Sequence, residues 1–285
     1  MTTRTLKNDF LQIDYLTDAL RIMGLTPAGG TNLLAHIPDF HTVPTPYGEF
    51  HFRGGHRLWH APESIPRTYI PDTGELTITD LADGVLLESA TELGTGIRKR
   101  IEIRLAPDKP SVTLTHTLIN EGLWVIVLAP WAITQLRLGG TAILPMPVGF
   151  ADPEGLLHNR QFSLWPYTRI NDPRLKLDDS VVLFEADPLV PPFKLGYFNP
   201  HGWLAYWLDG VLFRKTFDVH AGLPHPDNNC NAEMYCNDQF VELESLGPLT
   251  TLPPKASVDL VETWELNNEI DSLPENIRNL LTIGG

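Results

Sequence analysis

Two glutamates stand two residues apart in the segment Val241-Glu-Leu-Glu-Ser245, inside an apolar run near the C-terminus. Side chains alternate between the two faces of a β-strand, so Glu242 and Glu244 share one face while Leu243 lies on the other. Two carboxylates on one sheet face lie either in solvent or along a cleft where their charge has a function. We therefore treat Glu242 and Glu244 as candidates for acid–base chemistry or for binding a polar ligand.

A second group of reactive side chains surrounds a glycine pair in the first quarter of the chain. Gly54 and Gly55 can adopt backbone conformations that other residues rarely reach, which favours a tight turn. Hydrogen-bond donors and an aromatic ring flank this turn: Arg53, His56, Arg57, Trp59 and His60. This density of donors is typical of a site for a polar ligand.

Basic residues are few in this chain, and four of them stand among aromatic residues and turns instead of in solvated charge runs. These four are Arg53, Arg57, Arg169 and Lys194. Guanidinium and ammonium groups bind carboxylates and phosphates, so convergence of the four would indicate an anionic ligand.

The composition of the chain limits the classes of function. Its 285 residues carry a formal net charge of −14, which argues against a nucleic-acid partner because phosphate backbones are bound by clustered lysine and arginine. No apolar run is long enough to cross a membrane, and the N-terminus lacks the apolar core of a signal peptide, so we expect a cytoplasmic protein. Cys230 and Cys236 could bridge a small loop, but the lack of a secretion signal favours two free thiols.

Alternation of apolar and polar residues runs through most of the chain, and 25 prolines and 22 glycines interrupt it at intervals. This pattern is typical of antiparallel strands joined by turns. Roughly fifteen or more strands are too many for a small sandwich. We therefore predict an all-β fold, a large two-sheet antiparallel β-sandwich that forms one domain over residues 1–285, with a short C-terminal helix at residues 273–283.

Two local predictions follow from the same pattern. The apolar run at residues 123–134 is typical of a strand buried on both faces. The segment 251–266 follows a proline-rich turn and alternates again, so we expect it to form a hairpin-like unit with the strand that carries Glu242 and Glu244.

Several stretches together resemble the galactose mutarotase-like supersandwich superfamily, which includes the aldose 1-epimerases. They are the Leu25-Thr-Pro-Ala-Gly-Gly30 turn, the Arg53-Gly-Gly55 turn, the strand at 113–120 and the strand at 241–245. Within the superfamily the chain is most similar to a bacterial family of unknown function. That family carries the stretches Gly-Gly-His-Arg-Leu-Trp, Pro-Trp-Ala-Ile-Thr and Glu-Thr-Trp-Glu-Leu, which begin here at Gly54, Pro130 and Glu262.

The resemblance covers nearly the whole chain and implies a small carbohydrate ligand on a concave sheet face. In aldose 1-epimerases a glutamate on a late strand is the general base on the anomeric hydroxyl, and a histidine is the general acid. By position the resemblance implies Glu244, and not Glu242, as the base, and it matches Arg53 to an arginine of the hexose-6-phosphate mutarotase branch. Trp131 falls where the acid histidine is expected, and tryptophan cannot exchange protons.

Another general acid is therefore needed if the protein is an enzyme. His56 is the first candidate, because it follows the glycine turn and imidazole titrates in the required range. Tyr235, on the strand before Glu244, is a second candidate. His60 and His116 are expected to be structural.

A metal site is a weaker alternative. His56, His60 and Glu63 offer nitrogen and oxygen ligands, but Gly55 and Pro62 flank them and exclude the helix that makes such a spacing diagnostic. We predict no metal and no cofactor.

Three functions remain open at the level of sequence. The first is a sugar mutarotase or epimerase-like isomerase that acts on a monosaccharide, anionic in one version, with Glu244 as base. The second is a carbohydrate lyase or hydrolase on the same scaffold, and the third is a sugar-binding protein without catalysis. In each case we expect a monomer or homodimer, with these residues at the ligand: Arg53, Arg57, Trp59, Trp131, Arg169, Lys194, Tyr235 and Glu242.

Overall fold

A computed structural model of the chain describes residues 2–268, and nearly all of the regular structure in this range is β. Two ten-stranded sheets pack face to face, and a separate two-stranded ribbon accompanies them. The prediction of an all-β, two-sheet antiparallel sandwich is confirmed. The helix predicted at residues 273–283 lies outside the described residues.

The strands in chain order are β1 (Thr3–Lys7), β2 (Leu11–Leu16), β3 (Arg21–Pro27), β4 (Thr42–Thr45), β5 (Gly48–His51), β6 (His56–Ala61), β7 (Thr77–Leu81), β8 (Gly84–Glu88), β9 (Ile97–Leu105), β10 (Ser111–Asn120), β11 (Ile126–Leu136), β12 (Thr141–Pro145), β13 (Ser163–Leu164), β14 (Leu175–Leu177), β15 (Val181–Glu185), β16 (Phe193–Tyr197), β17 (Trp203–Leu208), β18 (Val211–Phe217), β19 (Ala232–Cys236), β20 (Val241–Leu246), β21 (Thr250–Leu252) and β22 (Ser257–Asn267). Two four-residue helical turns interrupt them, α1 (Ile65–Thr68) and α2 (Pro226–Asn229). Within α2, Asp227 and Asn228 have φ angles of 52° and 61°, so this turn is not right-handed.

The first sheet has the strand order β1-β2-β3-β6-β11-β20-β19-β16-β13, with β21 paired to β11. The second sheet has the order β14-β15-β12-β17-β18-β22-β10-β9-β8-β7, and β4 pairs with β5 as the ribbon. Apolar side chains of both sheets fill the space between them, for example Leu243 from the first sheet and Leu114 and Trp264 from the second. Burial of each such side chain contributes about 1.5–3 kcal/mol.

Strand β20 is buried along its whole length, but its two faces carry different kinds of side chain. Alternation directs Leu243 and Ser245 into the space between the sheets and directs Glu242 and Glu244 to the outer face of the first sheet. The prediction that the two glutamates share a face is therefore correct.

The run at residues 123–134 does form a strand that is buried on both faces from Leu128 onward, but its predicted start was wrong, and so was the predicted hairpin. Strand β11 begins only at Ile126, where Leu252 of β21 becomes available as a pairing partner, and the preceding Leu123 and Trp124 are 85% and 80% exposed. The segment 251–266 does not form a hairpin with β20, because the chain crosses between the sheets after β21. Strand β20 pairs with β11 and β19 in the first sheet, whereas β22 pairs with β10 and β18 in the second.

Both cysteines are buried free thiols, as the sequence favours. Burial raises the pKa of each thiol to about 12, so neither sulfur is ionised near neutral pH.

Candidate functional site

The glycine turn before β6 is packed too tightly for any side chain. Gly54 and Gly55 have φ angles of 87° and 73°, and a Cβ added to them would lie 2.0 Å from the carbonyl oxygen of Ala35 and 2.2 Å from that of Ile22. Only glycine combines this backbone conformation with this approach. The turn therefore fixes where β6 begins and which of its residues face outward.

Strands β11, β20, β19 and β16 follow β6 across the first sheet and carry polar residues of the outer face in aligned rows. In the first row, Gln135 on β11 lies opposite Glu242 on β20, Glu242 opposite Tyr235 on β19, and Tyr235 opposite Lys194 on β16. Directly opposed residues project to the same face of a sheet. Glu242 and Lys194 are thus two strand spacings apart, roughly 10 Å between Cα atoms, with Tyr235 between them.

The next row continues the polar surface. Arg57 on β6 lies opposite Ile133, Ile133 opposite Glu244, and Glu244 opposite Glu233. Three carboxylic acids and two cations therefore meet on one patch of the first sheet, although the chain segments that bring them are far apart in sequence.

A cavity of about 360 Å³ lies over these rows. This is within the range of small-molecule sites. Its polar lining includes Arg57, Glu63, Lys194 and Glu242. Aromatic rings supply much of the remaining wall: Phe52, Trp59, Tyr69, Trp131, Trp165, Tyr167, Tyr235 and Phe240.

Glu242 is the carboxyl group of the β20 pair that lines this cavity. Its Oε1 accepts hydrogen bonds from Arg57 Nη2 at 3.2 Å and Gln135 Nε2 at 2.8 Å. No group among residues 2–268 donates a hydrogen bond to Oε2. Burial raises the pKa of Glu242, and the negative charge of Glu244 also raises it, whereas the positive charge of Arg57 lowers it. The combined effect is a pKa of about 7.

Glu244 lies beneath the cavity and does not line it. Its side chain is fully buried, and its Oε2 accepts hydrogen bonds from Trp131 Nε1 at 2.8 Å and Lys194 Nζ at 3.0 Å. The geometry thus differs from the expectation that Glu244 contacts the ligand, because the Trp131 and Lys194 side chains occupy the space above it.

Lys194 is held between carboxylates and aromatic rings. Its Nζ lies 2.7 Å from Glu233 and 3.0 Å from Glu244, and 4.9 Å and 4.7 Å from the ring centroids of Trp131 and Trp165. Burial alone would lower the pKa of Lys194, but the two carboxyl groups raise it well above its usual value. An ammonium group has three N–H donors, and the carboxyl groups account for two of them.

Glu233 is the third carboxyl group of this cluster and is fully buried. Burial raises its pKa well above the usual value, Lys194 opposes this, and the nearby charge of Glu244 adds to the increase. Lys194 Nζ therefore lies between two buried carboxyl groups, at 2.7 Å from Glu233 and 3.0 Å from Glu244.

Six of the predicted ligand residues do come together around the cavity: Arg57, Trp59, Trp131, Lys194, Tyr235 and Glu242. Arg53 does not, because it pairs with Asp72 at 3.3 Å and Asp39 at 3.5 Å outside the cavity. Arg169 is exposed at the surface and does not line the cavity either. The four basic residues therefore do not converge.

His56 does not reach the cavity, so the prediction that it is the general acid was wrong. Alternation along β6 sends Arg57 outward and His56 into the space between the sheets, where His56 is fully buried. Its Nδ1 lies 3.0 Å from Thr134 Oγ1 and its Nε2 lies 2.7 Å from His116 Nε2. Burial and the neighbouring imidazole of His116 lower the pKa of His56 well below its usual value, so the ring stays neutral.

The same network contains one group of three potential metal ligands among residues 2–268. Ligand atoms of His56, His116 and Glu262 lie within 4.8 Å of one another. Lys215 Nζ lies 2.8 Å from Glu262 Oε1, and Trp264 Nε1 donates to Oε2 at 2.8 Å. A cation already paired with this carboxylate disfavours a metal ion, so the arrangement fits a hydrogen-bond network.

Sequence reasoning missed several residues of the site, among them Glu233, Tyr69 and Tyr167. Glu233 shares a face with Tyr235 by strand alternation, and this signal could have found it. Tyr69 and Tyr167 come from irregular segments without periodicity, and no local pattern places them at a cavity.

Comparison with known proteins supports the fold. No family model matches the chain, and no curated protein matches it in sequence. A galactose mutarotase-like protein from Lactobacillus casei aligns with 93% of this chain and 100% of its own, with a TM-score of 0.61 and 11% identity. A candidate aldose 1-epimerase from Escherichia coli K12 covers 93% and 99%, with a TM-score of 0.57 and 14% identity.

A candidate mutarotase from Salmonella typhimurium is similar to the same extent, with coverage of 92% of this chain and 89% of its own, a TM-score of 0.57 and 11% identity. At sequence identities of 11–14% the likeness to these solved structures concerns architecture alone, and it shows that the chain has the galactose mutarotase-like β-sandwich fold.

Within residues 2–268, no helix has the length and apolar character needed to cross a membrane.

Proposed function

We propose that this chain is an aldose 1-epimerase-like isomerase that binds a neutral reducing sugar and exchanges its anomers, with Glu242 as general base and Lys194 as general acid. The observation that carries the proposal is the row across β20, β19 and β16, in which a carboxyl group and an ammonium group flank Tyr235 along one cavity.

The base is assigned to Glu242 because a base must reach the proton that it removes. Glu242 lines the cavity and its Oε2 is free of protein donors, whereas Glu244 is covered by Trp131 and Lys194. A pKa of about 7 also suits a base that works at neutral pH. This revises the assignment implied by the superfamily resemblance, in which Glu244 is the base.

The acid is assigned to Lys194 because its third N–H has no acceptor among residues 2–268 and the side chain lines the cavity. Glu242 takes the proton of the anomeric hydroxyl while the bond between C1 and the ring oxygen breaks. The bonding electrons pass to the ring oxygen, which takes a proton from Lys194, and C1 becomes a carbonyl carbon. An alkoxide is more basic than an amine, so this transfer is favourable even for a lysine whose pKa is raised.

Ring closure on the opposite face of the carbonyl returns both protons. Glu242 gives its proton to the carbonyl oxygen, and Lys194 recovers its own from the attacking hydroxyl. Glu244 and Glu233 act as positioning residues, because they hold the Lys194 ammonium group between the Trp131 and Trp165 rings.

The charges around the cavity support a neutral sugar. Arg57 is paired with Glu242, and Lys194 is paired with Glu244 beside Glu233. Each cation is already paired with a carboxyl group of the protein, which weakens its attraction for a carboxylate or phosphate on the ligand. The aromatic wall suits the apolar face of a sugar ring.

One observation favours a second candidate, a sugar-binding protein without catalysis. Trp131 stands where the superfamily resemblance implies the acid histidine, and it donates its indole N–H to Glu244. In that case the cavity would bind sugars without exchanging their anomers.

Saturation-transfer NMR on a panel of neutral aldoses, uronic acids and sugar phosphates separates these functions. We expect accelerated exchange between the anomers of at least one neutral aldose and no preference for the anionic members. Calorimetric binding of an aldose without accelerated exchange would support the binding protein, and a preference for an anionic sugar would contradict the neutral version.

A further inference from the structure

We propose that the sugar recognised by this protein is a reducing disaccharide, whose second ring occupies another cavity that adjoins the first. This inference rests on the proposed function, since it places the reducing ring and its anomeric hydroxyl at Glu242. It adds a second binding site and a size to the substrate.

The second cavity has a volume of about 550 Å³ and is larger than the first. It lies between the turn of the β4–β5 ribbon and two irregular segments, residues 70–76 and 89–94. Arg57 and Trp59 line both cavities, so the two spaces meet at these side chains. The Arg57 guanidinium carbon lies 4.2 Å from the Trp59 ring centroid, which makes the pair a common wall.

A monosaccharide in the first cavity leaves this second space unused. A void of such size beside a binding site forfeits contacts that a longer ligand would make. A ring joined through a glycosidic bond at the Arg57–Trp59 wall would extend into it.

The rim of the second cavity offers a platform for a sugar ring. Tyr47, in the ribbon turn, is 47% exposed and lies directly against Gly94. A Cβ added to Gly94 would come within 2.3 Å of the Tyr47 ring, so the absence of a side chain there allows the ring to pack against the backbone. Leu93, which precedes Gly94, is fully exposed at the same rim. An aromatic face beside exposed apolar surface suits the apolar face of a sugar.

The charges inside the second cavity select an uncharged ring over an anionic group. Lys99 pairs with Glu92 at 2.6 Å, and Asp72 pairs with Arg21 and Arg53. The cations of the lining are therefore already neutralised, whereas paired carboxylates can still accept hydrogen bonds from hydroxyl groups through their remaining lone pairs. This is the recognition chemistry of a neutral polyhydroxylated ligand.

The test compares calorimetric affinities of aldohexoses with those of reducing disaccharides that carry the same hexose at the reducing end. The Tyr47→Ala variant removes the platform, and Phe150→Ala is the matched control, because Phe150 is an 84% exposed aromatic residue that lines neither cavity. We expect at least one disaccharide to bind more tightly than its monosaccharide, and Tyr47→Ala to reduce that advantage about 2- to 10-fold. Phe150→Ala is expected to leave both affinities unchanged.

The inference is overturned if every disaccharide of the panel binds no better than its monosaccharide, or if Tyr47→Ala weakens both ligands equally. Its failure differs from failure of the proposed function. Disaccharide binding that depends on Tyr47, without anomer exchange, would support the second sugar site and contradict the isomerase activity. Anomer exchange of monosaccharides, without tighter binding of disaccharides, would support the isomerase activity and contradict the second site.

Discussion

Two buried lysines lie on opposite sides of the first sheet, and their surroundings differ in one respect. Lys215 projects into the space between the sheets and has three acceptors, Glu262 at 2.8 Å, Thr134 Oγ1 at 3.2 Å and the carbonyl oxygen of Leu243 at 3.1 Å. Lys194, on the outer side, has the carboxyl groups of Glu233 and Glu244 and borders a cavity.

This difference indicates that Lys215 has a structural role, whereas Lys194 can still interact with a ligand. All three donors of Lys215 are satisfied by the protein, so its burial serves packing between the sheets. Lys194 keeps one donor for a ligand, and its pKa is raised, whereas burial lowers the pKa of Lys215 despite the opposing charge of Glu262. A buried ionic cluster indicates function here only where a donor and an open space coincide.

The largest effect is expected from removing the Lys194 charge together with its partner. The double variant Lys194→Gln/Glu244→Gln keeps the charge balance, and we expect anomer exchange to fall about 10²–10⁴-fold because the ring oxygen loses its acid. Saturation-transfer NMR measures the rate. The single variant Glu244→Gln is the control, since Glu233 lies 2.7 Å from Lys194 Nζ and keeps it paired. Equal rates in the single and double variants would show that Lys194 is not the acid.

The Lys215→Met variant should act on stability instead. Removing Lys215 leaves Glu262 buried without its cation, and loss of one member of a buried pair lowers the free energy of unfolding by about 3–5 kcal/mol. Chemical denaturation measures this change. The exchange rate of the folded fraction should remain that of the wild type. Loss of anomer exchange at unchanged stability would contradict the purely structural role of Lys215.

The fold and part of the site could be predicted from local sequence because strand alternation is a local property. It placed Glu242 and Glu244 on one face, and the tight turn at Gly54 follows from residue type alone. The face of the first sheet on which the His56 side chain lies could not be predicted in this way. It depends on where β6 starts, and that is fixed by the approach of the turn to the Ala35 and Ile22 carbonyls.

The choice between the two glutamates depends on residues distant in sequence. Glu244 is covered by Lys194, from two strands away, and by Trp131, from the neighbouring strand on the other side. Arg53 is held away from the cavity by its ion pair with Asp72, which belongs to an irregular segment. Such pairings arise only when the sheet has assembled, and no periodicity along the chain encodes them.

The pH dependence of anomer exchange in the wild type, Glu242→Gln and Glu244→Gln tests the central claim most directly. The base form of Glu242 is required, so the wild-type rate should rise as the pH passes through about 7. Glu242→Gln should lose about 10²–10⁴-fold and show no such rise. Glu244→Gln should keep the rise, shifted to lower pH because the charge that raises the Glu242 pKa is gone. An inactive Glu244→Gln beside a Glu242→Gln that retains the wild-type profile would contradict the account and return the base to Glu244.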